Sequence, residues 1–172
     1  TRDGQEDNSS FSWSHTTRYG SAYDIVPALN QQPLGSAGDW SGAVEGDGFD
    51  LIVGNKGYAL AQFGSSGLQR FNNSASPIGC IARNSLVATP WGSIFLARSG
   101  FYQISDLETK TVIAEEIFAD ILEYPDAAKA LVLGKYSPSN ECYYVYVPEY
   151  VDTVSNPDVT YPALFYAYHV PS

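Results

Sequence analysis

Two stretches of the chain nearly repeat each other. Asp50-Leu-Ile-Val-Gly-Asn-Lys-Gly57-Tyr-Ala-Leu-Ala-Gln-Phe63 lies over Ser93-Ile-Phe-Leu-Ala-Arg-Ser-Gly100-Phe-Tyr-Gln-Ile-Ser-Asp106 without a gap, at an offset of 43 residues. Gly57 falls on Gly100, and Tyr58 falls on Phe101. Each copy reads as strand, tight glycine turn, strand, because runs of apolar and aromatic residues flank the glycine. A third unit extends the series. The opening strands centre on Val44, Val87 and Val132, giving spacings of 43 and 45. Strand units recurring every ~40–45 residues have the period of β-propeller blades.

Within this frame the first unit is expected to hold strands 41–45, 50–55, 58–63 and 68–72. The second is expected at 85–89, 93–98, 101–106 and 110–114. The third opens with Ala130–Gly134, turns through Tyr136–Asn140 and continues with Cys142–Val147 and Ala163–Val170. One interruption has a different period. Ile113, Ile117, Phe118, Ile121 and Leu122 share one helical face, and Glu115, Glu116, Asp120 and Glu123 share the other. Acids at its start suit the helix dipole and Pro125 stops it, so a helix is expected over 115–124, packed outside a blade. The fold class is therefore all-β: propeller-like blades of antiparallel strands with one short inserted helix. Residues 1–10 are polar and read as a flexible leading segment. Residues 11–172 form the β-propeller-type domain, with Phe11–Ser14 as a strand and 18–38 as a long loop.

Composition narrows the function classes. The chain has 172 residues, enough for a core, and its 13 tyrosines favour strands over helices. Charged residues are 16% of the chain, which suits a protein embedded in an assembly. The net charge of −10, with no run of Lys or Arg, argues against a groove that grips nucleic acid phosphates. Cys80 and Cys142 lack metal-ligand spacing and read as free thiols. No stretch approaches the length of a membrane span, so no membrane partner is expected. The chain holds no methionine, even at position 1, and is expected to be a piece of a longer one.

The order of motifs resembles tailed-phage virion proteins built on β-propellers. Phe11-Ser-Trp-Ser14 is similar to that family's aromatic-x-Trp-Ser segment, and Leu51–Phe63 to its glycine-hairpin strand pair. Gly79-Cys-Ile-Ala-Arg-Asn-Ser-Leu-Val87 and Ile94–Tyr102, ending in Gly-Phe-Tyr, resemble the next two segments. Glu115–Tyr124 is similar to an acidic amphipathic helix, and Ser137-Pro-Ser-Asn-Glu-Cys-Tyr143 to a closing hairpin. The resemblance covers roughly residues 11–170. It implies a structural virion component, of the tail nozzle or tail-tube hub type of short-tailed phages, forming a ring around the DNA exit channel. Implied partners are other copies of the chain and neighbouring tail or portal-adaptor proteins, with genomic DNA only in passage. The implied location is the phage tail.

No catalytic constellation competes with that reading. His15 and His169 are the two histidines, no Gly-x-Ser-x-Gly elbow is present, and no enzyme activity, cofactor or metal is expected. Asp47, Asp50, Asp106, Glu108, Asp152 and Asp158 sit at turn ends, where acids cap backbone amides. The aromatic residues of the last hairpin carry more information. On a strand, Tyr144 and Tyr146 point one way while Tyr143 and Val145 point the other. Tyr144, Tyr146, Tyr150, Tyr161, Tyr166 and Tyr168 are therefore the interface candidates, since tyrosine is enriched at interfaces. The hairpin tip 150–162 is long enough to serve as a contact element. Tyrosines also stack on sugars, so a carbohydrate-binding or glycan-cleaving propeller is the rival reading.

Overall fold

The computed structural model describes residues 10–12, 31–33, 38–46, 49–64, 67–74, 76–106, 110–154 and 159–170. The chain divides into two compact units, 1–79 and 80–172. The fold is mostly β with antiparallel pairing, and no closed barrel or propeller is found among the described residues.

In the first unit β1 (Ser10–Ser12) pairs with β2 (Gln31–Pro33), placing Phe11 opposite Gln32. A strand thus occurs inside the stretch read as loop; the remainder of that loop up to Ala37, Trp13–Ser14 and residues 1–9 lie outside the described residues. The main sheet is a meander of β3 (Trp40–Glu45), β4 (Asp50–Gly54), β5 (Tyr58–Gly64) and β6 (Gly67–Asn73), in that spatial order. Leu51, Ile52 and Val53 in β4 are all buried, the pattern of a strand covered on both faces. The β4–β5 turn is tied to the chain before β3. Asn55 N–H donates to the Asp39 carbonyl at 2.8 Å, and the Asn55 side-chain amide donates to the Asp39 carboxylate at 3.2 Å. Gly79 passes against this turn with no room for a side chain: a Cβ there would lie 2.2 Å from the Asn55 carbonyl carbon.

The second unit opens with a 3₁₀ turn at Arg83–Ser85, followed by β7 (Val87–Thr89), β8 (Gly92–Ala97), β9 (Gly100–Ile104) and β10 (Lys110–Ile113). These four strands form another meander. The expected strand 85–89 starts late because Ser85 belongs to the turn. Its hydroxyl donates to the Ala82 carbonyl at 2.6 Å and accepts the Leu96 N–H at 2.8 Å.

Register, not only residue type, repeats across the first three strands of the two meanders; the pairing of the fourth strand differs. Leu51↔Leu60, Ile52↔Ala59 and Val53↔Tyr58 in the first become Ile94↔Gln103, Phe95↔Tyr102 and Leu96↔Phe101 in the second, each shifted by 43 residues. Val44↔Leu51 and Glu45↔Asp50 likewise become Val87↔Ile94 and Ala88↔Ser93. The paired glycines serve different ends. Gly100 has φ +148°, a conformation that favours glycine, whereas Gly57 is not among the positive-φ glycines.

Two helices follow where one was expected. α1 (Glu115–Ile121) ends early, and α2 (Asp126–Lys129) begins after Pro125. Pro125 is extended (φ −63°, ψ 154°), which stops the first helix and starts the next turn. α1 packs against the sheets of the second unit. Its Ile117 and Ile121 enter a core cluster with Leu96, Phe101, Tyr143 and Val145. Leu122 lies beyond the helix end and is 57% exposed, so it leaves the predicted apolar face.

The third sheet has three strands, β11 (Leu133–Ser137), β12 (Cys142–Val147) and β15 (Leu164–His169), in that order. Its first strand lies later than expected: Ala130 and Leu131 are in a turn, while Tyr136 is in the strand. Val132 is fully buried although it precedes the strand. The apolar run around it, at the repeat spacing, gave it the look of a strand centre. The tip between β12 and β15 holds a small hairpin of β13 (Tyr150–Asp152) and β14 (Val159–Tyr161). Residues 155–158 at its end are outside the described ones.

Candidate functional site

The third sheet carries the tyrosines, and its register sorts them by face. Directly opposed residues of an antiparallel pair share a face. Tyr143, Val145 and Val147 in β12 oppose Tyr168, Tyr166 and Leu164 in β15. This set faces the core: the three β12 residues are fully buried, and Tyr166 and Tyr168 are half-buried against the core cluster. The other set is Cys142, Tyr144 and Tyr146, opposed by His169, Ala167 and Phe165. On that outer face one row crosses all three strands, Leu133↔Tyr146↔Phe165. Its members are 42%, 41% and 67% exposed. Phe165 also stacks on Tyr144, with ring centroids 5.9 Å apart and planes at 20°.

The six interface candidates therefore separate. Tyr144 and Tyr146 lie on the outer face. Tyr150, Tyr161, Tyr166 and Tyr168 pack against the core cluster instead. Tyr161 sits 4.8 Å from the Tyr124 ring and 6.4 Å from the Tyr150 ring, joining the tip hairpin to the turn after α1. The Tyr124 hydroxyl donates to the Pro162 carbonyl at 3.0 Å, and the Tyr166 hydroxyl donates to the Asp120 carboxylate at 2.7 Å. Sequence reading found the alternation in β12 but not the row through Leu133 and Phe165. Their outward placement follows from the register of β11 and β15 on β12, which alternation within one strand does not give.

Beneath the outer face lies a buried polar contact. Tyr143 is fully buried and its hydroxyl donates to the Ser85 carbonyl at 2.8 Å. Gly134 makes this possible, since a Cβ there would lie 2.4 Å from the Tyr143 hydroxyl. Burial pushes the Tyr143 phenol well above the ordinary tyrosine range. Partial burial, with the Asp120 carboxylate beside it, pushes Tyr166 up to about 12, and burial pushes the Cys80 thiol up to about 11. All three groups hold their protons in the folded chain at a pH where the unfolded chain loses them. Stability is thus fully present below the ordinary values of 9.0 for cysteine and 10.0 for tyrosine, and falls as pH rises past them. Urea unfolding between pH 8 and pH 11 should show this fall. In Tyr143→Phe the slope should shrink by up to one proton, roughly 1.4 kcal/mol per pH unit.

The remaining candidates are turn and edge groups. Asp152 is buried and accepts the Val154 N–H at 2.9 Å, closing its turn. Asp50 is raised from the ordinary carboxylate value by burial and by Glu45. His169 is exposed and faces the Glu141 carboxylate at 3.7 Å. Cys80 is a buried free thiol and Cys142 a half-buried one. His15, Asp47, Glu108 and Asp158 lie outside the described residues. Among the described residues no group of three or more His, Cys, Asp or Glu is placed to hold a metal ion. The sequence matches no protein-family model and no curated protein.

Proposed function

We propose that the chain is a structural component of a phage virion, a tail nozzle or hub protein whose copies form a ring around the DNA exit channel. Its antiparallel sheets are then blades of a propeller-like assembly. The observation that carries this reading is the register shared by the first three strands of two successive four-stranded meanders at a 43-residue offset, followed by a third sheet. Repetition of one sheet unit is the way propellers are built. The motif order that resembles short-tailed phage proteins supplies the virion context. The exposed Leu133–Tyr146–Phe165 row supports assembly, because an apolar strip of this kind is stabilised when another surface covers it. The chemistry is rigid scaffolding. The net charge of −10 suits a channel wall, since a negative surface repels phosphates and keeps DNA from adhering.

A second reading has one observation in its favour. The near-parallel Tyr144–Phe165 pair is a platform on which a sugar ring could stack, as in a glycan-binding propeller. The two separate in one experiment on the full chain, comparing wild type with Phe165→Asp by mass photometry and on a glycan array. Scaffolding predicts that wild type forms discrete oligomers and that Phe165→Asp dissociates them, with no glycan retained. A monomer that binds glycans through Phe165 would favour the rival.

A further inference from the structure

Among the described residues β15 is an edge strand of its sheet and pairs only with β12, so the third sheet has three strands where the two meanders have four. The direction of its backbone groups follows from one bond. Val170 N–H donates to the Glu141 carbonyl at 2.9 Å, so residue 170 faces β12. Backbone groups of alternate residues point to alternate sides of a strand. Tyr168 and Tyr166 thus spend their N–H and C=O groups on β12, while those of Phe165, Ala167 and His169 point outward. Natural edges are commonly blunted by a bulge, a proline or a lysine. β3, the edge of the first meander, has its register shift between Trp40 and Gly42. β15 has none of these devices: its six pairs with β12 run without a shift.

A groove of about 580 Å³ runs beside this edge. Tyr166, Ala167 and Tyr168 form one side, three consecutive residues, as expected where a groove follows a strand rather than one face. Val112 and Ile113 of β10 also line it, and α1 supplies Glu115, Glu116 and Asp120. No Lys or Arg lines it. The volume falls within the range of natural ligand sites, ~300–1,000 Å³. An occupant lying along β15 therefore meets outward backbone groups on one side and carboxylates on the other.

We propose that this edge accepts a fourth strand from a partner: an extended segment with lysine or arginine at alternate positions, bonded to Phe165, Ala167 and His169 and turning its cations toward α1. Main-chain hydrogen bonds give such an addition its affinity and alternate side chains its specificity. A second copy of the same edge is the wrong occupant. Residues 164–169 contain no Lys or Arg, and the chain has 9 basic against 19 acidic residues, so two copies would bring like charges together. The inference stands on the sheet and groove alone, whether or not the chain belongs to a phage tail.

The test uses the full chain and a fluorescent, terminally blocked octapeptide alternating lysine and valine, with a glutamate–valine peptide as control. The lysine peptide should bind at least tenfold more tightly, and added salt should weaken it. In an amide-exchange experiment it should slow the N–H groups of Phe165, Ala167 and His169 and leave those of Tyr166 and Tyr168 unchanged. Ala167→Pro removes one outward N–H while sparing the ladder to β12, and should cut affinity at least tenfold. Glu115→Gln with Glu116→Gln should narrow the preference for lysine over glutamate. Equal binding of the two peptides, no binding of either, protection elsewhere, or dimers in which two β15 edges pair backbone to backbone would each overturn the proposal. The exchange measurement on wild type decides the matter even if the proline variant fails to fold.

Discussion

Replacing Gly92 with alanine should destabilise the second unit by about 4 kcal/mol, the sum of strain at positive φ and a forced backbone contact. Gly92 has φ +130°, and a Cβ there would lie 2.5 Å from the Ile104 carbonyl oxygen. That oxygen belongs to β9, beside the strand Gly92 opens, so relief would require moving a sheet rather than a side chain. Gly100→Ala is the matched control. Its φ of +148° is also strained for alanine, but the nearest atom to a Cβ is Val112 Cγ1 at 3.7 Å. It should cost only about 1–2 kcal/mol. Urea denaturation of both variants checks the difference. Equal losses would mean that conformational strain, not the Ile104 contact, sets the cost at Gly92.

Tyr143→Ala should cost a similar amount, about 4 kcal/mol, by removing a fully buried ring from the core. The ring meets Phe101 edge-on with centroids 6.0 Å apart, so it joins β12 to β9. Tyr143→Phe isolates the hydroxyl. It should cost about 1–3 kcal/mol, because the Ser85 carbonyl would lose its partner in a dry site. Gly134→Ala attacks the same contact from the other side, since its Cβ and the Tyr143 hydroxyl cannot share that space. Gly134→Ala and Tyr143→Phe should then be less than additive in a double-mutant cycle. Strict additivity would show that Gly134 is needed for some other reason.

These residues mark how far the sequence could be read. The hairpins at 50–63 and 93–106 were legible because each copy concentrates its apolar residues in runs around a short turn, and both runs are buried. The pairing register came with them, since turn length fixes register in a hairpin. The third unit was misplaced at its start. Val132 is as buried as a strand centre, yet it is packed at the end of a helical turn, and burial leaves the same apolar mark in either place. The helix was split for a local reason. Pro125 both ends one helix and sets the extended backbone from which the next begins.

The tyrosines show the other limit. The two faces of β12 follow from alternation alone. Which face of β15 is the core face depends on pairing Tyr166 with Val145, a contact between residues far apart in sequence. Without that register, Tyr166 and Tyr168 look like the same kind of residue as Tyr144 and Tyr146. The groove beside β15 was out of reach for the same reason, since it combines β10, α1 and β15. The open edge itself is a fact of topology, and no residue type announces it.

Electron microscopy of intact short-tailed particles carrying this chain, with an antibody or tag at the exposed residue Val154, tests the scaffold reading most directly. The account predicts label in a ring at the tail, with density around the DNA channel into which successive four-stranded sheets of this chain fit as blades. Label absent from the tail, or a tail density whose sheets do not repeat with the 43-residue register, would contradict it.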